Sequence, residues 1–167
     1  PKWMIFKTRS HTGDWMVYHG QNTAAPETDF LKLNETNATE DLNTVFNDTA
    51  PTTSVFTLGS NGDVNTDGRT QIAYVFAEIE GYSKFGTYVG NGVTDGTFVF
   101  TGFRPAWVVV KRTSGTGSWQ VYDNARNTYN PAITRIPINA TNAESDASAQ
   151  ALDFCSNGFK CISNNTD

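Results

Sequence analysis

Apolar residues in this chain come in short runs separated by Gly, Asn, Ser and Thr, and few runs keep a helical spacing. Trp3-Met4-Ile5-Phe6 and Trp107-Val108-Val109-Val110 are apolar at every position, which suits central strands covered on both faces. Each is followed, after a polar, glycine-containing stretch (8–13 and 113–117), by a second aromatic run, Trp15-Met16-Val17-Tyr18 and Trp119-Gln120-Val121-Tyr122. That pattern predicts β-hairpins. Further strands are expected at 30–33, 54–58, 71–79, 84–89, 97–101 and 152–162, the last folded at an Asn157-Gly158 turn. Helix is indicated only at 37–46 and 143–152, where Asn and Glu stand at capping distances in short segments.

The two hairpins are copies. Pro1-Lys2-Trp3-Met4-Ile5-Phe6-Lys7 recurs as Pro105-Ala106-Trp107-Val108-Val109-Val110-Lys111, and Gly13-Asp14-Trp15-Met16-Val17-Tyr18 as Gly117-Ser118-Trp119-Gln120-Val121-Tyr122, at a constant spacing of 104. Leu33-Asn34-Glu35-Thr36-Asn37-Ala38 matches Ile138-Asn139-Ala140-Thr141-Asn142-Ala143, and Asn65-Thr66-Asp67 matches Asn165-Thr166-Asp167. The chain is therefore expected to be all-β, a β-sandwich of jelly-roll or lectin-like type. It would form one domain over 1–167, made of repeat 1 (1–83) and repeat 2 (84–167) sharing two packed sheets.

Differences between the copies suggest facing. Trp15 and Val17 are kept as Trp119 and Val121, whereas Met16 becomes Gln120, so alternation makes the Trp/Val face the core face and turns Met16 outward, towards solvent or a neighbour. Trp3 and Trp107 are then expected at matching buried positions, as are Trp15 and Trp119.

Copy one is followed by the strand at 71–79, but copy two stops at Asp167, and copy two is preceded by strands that copy one lacks. Open edges are expected beside Trp3 and Ile162, to be filled by the rest of a longer polypeptide or by neighbouring subunits. Pro1 as first residue, without an initiator Met or a signal pattern, favours a mature product or a fragment of a longer chain.

Composition narrows the function classes. Hydrophobic residues make up 38% and aromatics 13%, but charged residues only 17%, against roughly a quarter in an average soluble domain. The net charge of -5 leaves no basic footprint for nucleic acid or an anionic membrane. No apolar run approaches the roughly 18 residues of a membrane-spanning helix.

Few groups offer chemistry. Asp63-Val64-Asn65-Thr66-Asp67-Gly68 fits the opening of a calcium loop, with Asp63, Asn65 and Asp67 as ligands, but its twelfth position is Tyr74 and no bidentate Glu closes it. Glu78 and Glu80 share a strand face, as the two carboxylates of a retaining glycosidase would, without a third acidic residue. His11 and His19 lack partners at metal-ligand spacing. The five sequons, at Asn34, Asn37, Asn47, Asn139 and Asn164, reflect a chain rich in Asn and Thr. Cys155 and Cys161 flank the Asn157-Gly158 turn and are expected as free, partly buried thiols. No cofactor is implied. The best candidate for a ligand is the segment after the second aromatic run, where Tyr122, Asp123, Asn124, Arg126, Asn127 and Tyr129 combine rings for stacking with amides and charges for sugar hydroxyls.

The run Ala73-Tyr74-Val75-Phe76-Ala77-Glu78-Ile79-Glu80-Gly81-Tyr82-Ser83-Lys84-Phe85-Gly86-Thr87-Tyr88-Val89-Gly90-Asn91-Gly92, with Phe103-Arg104-Pro105-Ala106-Trp107-Val108-Val109-Val110-Lys111-Arg112-Thr113, carries a family likeness. It resembles an uncharacterised domain of large marine bacteriophage proteins, cyanophages especially, found near concanavalin-like or laminin-G-like lectin modules. The resemblance covers essentially the whole chain. It implies a non-catalytic segment of a tail fibre, spike or capsid appendage, located in the virion, with copies of itself or other virion subunits as partners and a host surface glycan as a possible ligand. The alternatives are a glucanase-like enzyme and a secreted bacterial lectin or adhesin.

Overall fold

A computed structural model describes residues 1–162. The chain is of the all-β sandwich class, with three antiparallel sheets, and it divides into two compact units. The first holds Pro1–Glu78 with Phe85–Thr87 and Thr113–Thr116; the second holds Ile79–Lys84, Tyr88–Arg112 and the described residues from Gly117. Each unit builds its own sheets, so the copies do not share two sheets as expected.

In the first unit, β1 (Trp3–Thr8), β2 (Met16–His19), β3 (Asp29–Lys32), β4 (Glu40–Asp41) and β5 (Gln71–Phe76) form one sheet in the order β4-β3-β2-β1-β5. Met4, Phe6, Met16, Tyr18 and Phe30 project from one face onto Val45 and Phe46 of the short helix α1 (Asn43–Phe46), and onto Phe56, Leu58 and Val64. The inward set is thus the Met/Tyr face, and the outward placement of Met16 is overturned: it is 1% exposed. The opposite face is covered too, with Ile5, Val17 and Leu31 buried, so conservation between copies does not mark a single inner face. Helix over 37–46 shrinks to its last turn because Glu40 is taken by pairing with Phe30. The segment 54–58 is not a strand; it packs as an irregular cover.

In the second unit, β6 (Phe98–Phe100), β7 (Trp107–Val110), β8 (Gln120–Asp123), β9 (Thr134–Pro137), β10 (Ser145–Asp146), β11 (Leu152–Cys155) and β12 (Gly158–Cys161) form two sheets, β10-β9-β8-β7 and β11-β12-β6. Val108 and Tyr122 from the first sheet meet Leu152, Phe154 and Phe159 from the second. Helix over 143–152 is replaced by β10 and a single 3-10 turn, Ser148–Gln150, and 84–89 is not a strand. The final hairpin turns at Ser156-Asn157, one residue before the expected turn, so Cys155 faces Gly158 and Cys161 faces Leu152. Gly158 belongs in the strand because a Cβ there would lie 2.1 Å from the Val99 carbonyl oxygen of the neighbouring β6. Both cysteines are free.

The sheet registers run in step. Ile5 faces Val17 as Val109 faces Val121; Met16 faces Lys32 as Gln120 faces Pro137; Phe30 faces Glu40 as Arg135 faces Ser145. The same side-chain brace recurs: Asn34 Oδ1 accepts the Trp15 N–H at 2.8 Å, and Asn139 Oδ1 accepts the Trp119 N–H at 2.8 Å. These two sequons spend their carboxamides inside the fold. Asn164 and the Asn165-Thr166-Asp167 match lie outside the described residues.

Matching registers do not give matching burial. Trp3 is half-buried between Phe76 and Phe85, at ring separations of 5.1 and 5.9 Å, but Trp107 is 56% exposed. The cause is the neighbour: β5 runs along β1 from Trp3↔Phe76 to Thr8↔Gln71, while among the described residues β7 is an edge strand. Conversely Trp119 is 4% exposed, and Trp15 is only half-buried, stacked on Tyr74. The edges expected to lie open beside Trp3 and Ile162 are both closed by the chain's own strands, since β5 covers β1 and β12 lies between β11 and β6.

These environments separate two truncations. Phe6→Ala, at 1% exposure, should lower the unfolding free energy by about 3 to 5 kcal/mol. Trp107→Ala should cost less than half as much, as read from urea unfolding curves.

Candidate functional site

The inner face of the four-stranded sheet is the place where the copies diverge most. Gln120 lies two residues before Tyr122 and so shares its face; Arg135, one step along from the Val121↔Ile136 pair, stands opposite Tyr122. With Pro137 and Ser145 from the strands, and Ser118, Ala140 and Asn142 from the adjoining loops, they line a cavity of about 210 Å³. Every lining position has a counterpart in the first unit, and most of those counterparts are larger or charged. Gln120 stands for Met16 and Arg135 for Phe30, both core residues of the first unit. Ser118, Pro137 and Ser145 stand for Asp14, Lys32 and Glu40, where Lys32 Nζ bridges Asp14 at 3.5 Å and Glu40 at 3.4 Å. Ala140 stands for Glu35, and Asn142 for Asn37.

The apolar cover differs as well. Val45 and Phe46, which plug the first unit's sheet, correspond to Gln150 and Ala151. The recess itself lies where Met16, Phe30 and the ion-paired rim stand in the first unit. The second unit lines it with polar side chains, Gln120 and Arg135 among them, although Gln120 Oε1 and Arg135 Nη1 are themselves sealed from solvent without a hydrogen-bond partner. Among the described residues Arg135 forms no ion pair; the nearby acids are used elsewhere, Asp123 and Glu144 on Arg126, and Asp146 on the Thr134 hydroxyl. The arrangement can accept hydrogen bonds, donate them, and neutralise one negative charge.

Gln120 and Arg135 were not among the expected site residues. The signal existed in the Met16 to Gln120 exchange, but it reads as a surface position until the inner face is known. The segment expected to hold a glycan is built differently. Tyr122 is buried, its hydroxyl donates to the Gln150 carbonyl at 2.6 Å, and burial pushes its pKa up to about 12, so its ring is not free for stacking. Asp123 Oδ1 accepts the N–H groups of Ala125 and Arg126 while Oδ2 holds the Arg126 guanidinium at 2.8 Å. Asn127 Oδ1 accepts the Thr134 N–H. These side chains shape the turn, leaving Asn124 and Tyr129 exposed, the latter at 85%.

The other candidates scatter. Asn65 Nδ2 donates to the Gly59 carbonyl and Asp63 N–H to Asn61 Oδ1, so the Asp63 to Asp67 loop is organised around buried Val64. Among the described residues no group of three or more His, Cys, Asp and Glu is placed to hold a metal ion, and no helix is long and apolar enough to cross a membrane. Glu78 and Glu80 do not share a strand face: β5 stops at Phe76, Glu78 Oε1 accepts the Phe85 N–H, and Glu80 lies in the turn that closes the Ile79↔Ser83 bridge.

His19, in the first unit, is held neutral. Burial lowers its pKa from the ordinary 6.5, outweighing its own backbone hydrogen bond and the charge of Glu78, both of which act to raise it. Its Nδ1 accepts the Gln21 N–H at 3.2 Å, which a protonated Nδ1 cannot do. Because the folded-state pKa is the lower one, the unfolded chain takes up the proton first as pH falls, and stability declines from about pH 6.5 downward. Comparing urea midpoints at neutral pH and near pH 5 should show a larger loss for the parent protein than for His19→Gln.

The fold and this recess together define an all-β sandwich protein with a polar, cation-bearing cavity on one sheet. By sequence the chain belongs to the DUF7483 family, a domain of unknown function, whose profile matches residues 1–167. No curated protein and no solved structure matches it.

Proposed function

We propose that this chain is a non-catalytic structural and adhesion module of a phage virion appendage, a tail fibre, spike or capsid decoration, that contacts a glycan of the host surface. The observation that carries the reading is the exchange of an apolar core and a charged rim for a polar recess at equivalent strand positions. Such an exchange sacrifices packing in one copy of a frame that the other copy fills. The gain is a concave surface with convergent polar groups, the general form of a small-ligand site. The likeness of the 73–92 and 103–113 segments to phage appendage domains supports placement in a virion.

A hydrolytic role would require two carboxyl groups about 5 to 9.5 Å apart across the substrate. The cavity offers amides, hydroxyls and one guanidinium instead, which supports binding over cleavage. The labelled protein is expected to bind a subset of bacterial-surface polysaccharides on an array and to release no reducing sugar from them. Sugar release that disappears in Glu78→Gln plus Glu80→Gln would overturn this reading in favour of an enzyme.

A further inference from the structure

The cavity of the second unit is selective in charge as well as in shape. At the positions equivalent to its rim, the first unit carries three carboxylates, Asp14, Glu35 and Glu40, and one ammonium, Lys32. The second unit has Ser118, Ala140, Ser145 and Pro137 there, so all four charges are gone. The one charge added is Arg135, in place of Phe30. In a chain of net charge -5, this cavity therefore carries a single cation among neutral lining side chains.

We propose that this cavity binds an acidic monosaccharide residue, with its carboxylate on the Arg135 guanidinium and a hydroxyl on the Gln120 carboxamide; the proposal rests on the glycan-contact reading above and names its ligand class. A guanidinium presents parallel N–H donors that match a carboxylate, and a neutral sugar leaves that fork unsatisfied. The Gln120 carboxamide on the cavity wall can pair with a ring hydroxyl, which acetate does not offer. The volume, about 210 Å³, lies below the roughly 300 Å³ at which drug-sized sites begin, so one sugar unit is held and the remainder of a polymer stays outside. Ser118, Asn142 and Ser145 offer further groups for hydroxyls around the rim.

The test uses the whole chain and sodium glucuronate, with glucose and sodium acetate as controls, followed by amide chemical shifts in solution. Glucuronate up to about 20 mM should move the Gln120, Arg135 and Ser145 resonances saturably, and glucose and acetate should move them far less. Arg135→Gln should weaken glucuronate binding about tenfold or more, and Gln120→Met, which installs the residue found at the same place in the first unit, should weaken it with no loss of thermal stability. Should Arg135→Gln fail to fold, the Gln120→Met comparison decides alone. Glucose binding at these residues, unchanged by Arg135→Gln, would overturn the acidic-sugar assignment and leave the glycan reading standing. Array glycans that shift only residues elsewhere, such as those around Tyr129, would do the same. Absence of binding by glucuronate and by every array glycan would overturn both.

Discussion

Both units depend on one antiparallel register, which sets Ile5 against Val17 in the first and Val109 against Val121 in the second. A slip of one residue would exchange the two faces of every strand. Held as it is, the register sends Met4, Phe6, Met16 and Tyr18 to one side of the first sheet, and Val108, Gln120 and Tyr122 to the equivalent side in the second unit. The asparagine brace protects that register. Asn34 and Asn139 each occupy the N–H of the tryptophan that opens the second strand, just where backbone leaving the hairpin loop would otherwise lack a partner. Leu33 and Ile138 donate to the carbonyls of the same tryptophans at 2.9 Å, so the third strand is clamped to the second on both sides of each indole-bearing residue.

On this common frame the units find different ways to bury the inner face. The first covers it with Val45, Phe46, Phe56, Leu58 and Val64, delivered by a short helix and irregular chain. The second covers part of it with a separate three-stranded sheet, whose Leu152, Phe154 and Phe159 reach Val108 and Tyr122, and leaves the part around Gln120 and Arg135 open. Stability alone does not account for the open part. A buried polar atom with no partner costs about 1 to 3 kcal/mol, and the first unit demonstrates that the same positions accept a methionine and a phenylalanine.

The exposed edge follows from the same comparison. Tryptophan at the start of the first strand is a constant of both copies, but its environment is set by whatever lies along the outer side of that strand. Trp3 has Phe76 and Phe85; Trp107 has no strand beyond it among the described residues. An identical side chain at an identical register position is therefore half-buried in one unit and mostly exposed in the other.

The all-β class, the two hairpins, the 104-residue spacing and most strand positions are legible in the residue pattern, because those follow from local alternation, glycine and polar punctuation and self-similarity. Which face of each strand is inner follows from tertiary packing: the residue that changes between the copies, Met16 to Gln120, points to an outer face by sequence, yet Met16 lies in the first unit's core cluster with Val45, Phe46 and Val64. Tertiary contacts likewise decided that Tyr122 is a core residue and that Asp123, Arg126 and Asn127 serve their own turn. Arg135 carries no local signal at all. Its meaning arises from standing where Phe30 stands in the other unit, on the wall of a recess whose lining comes together only when strands distant in sequence pair.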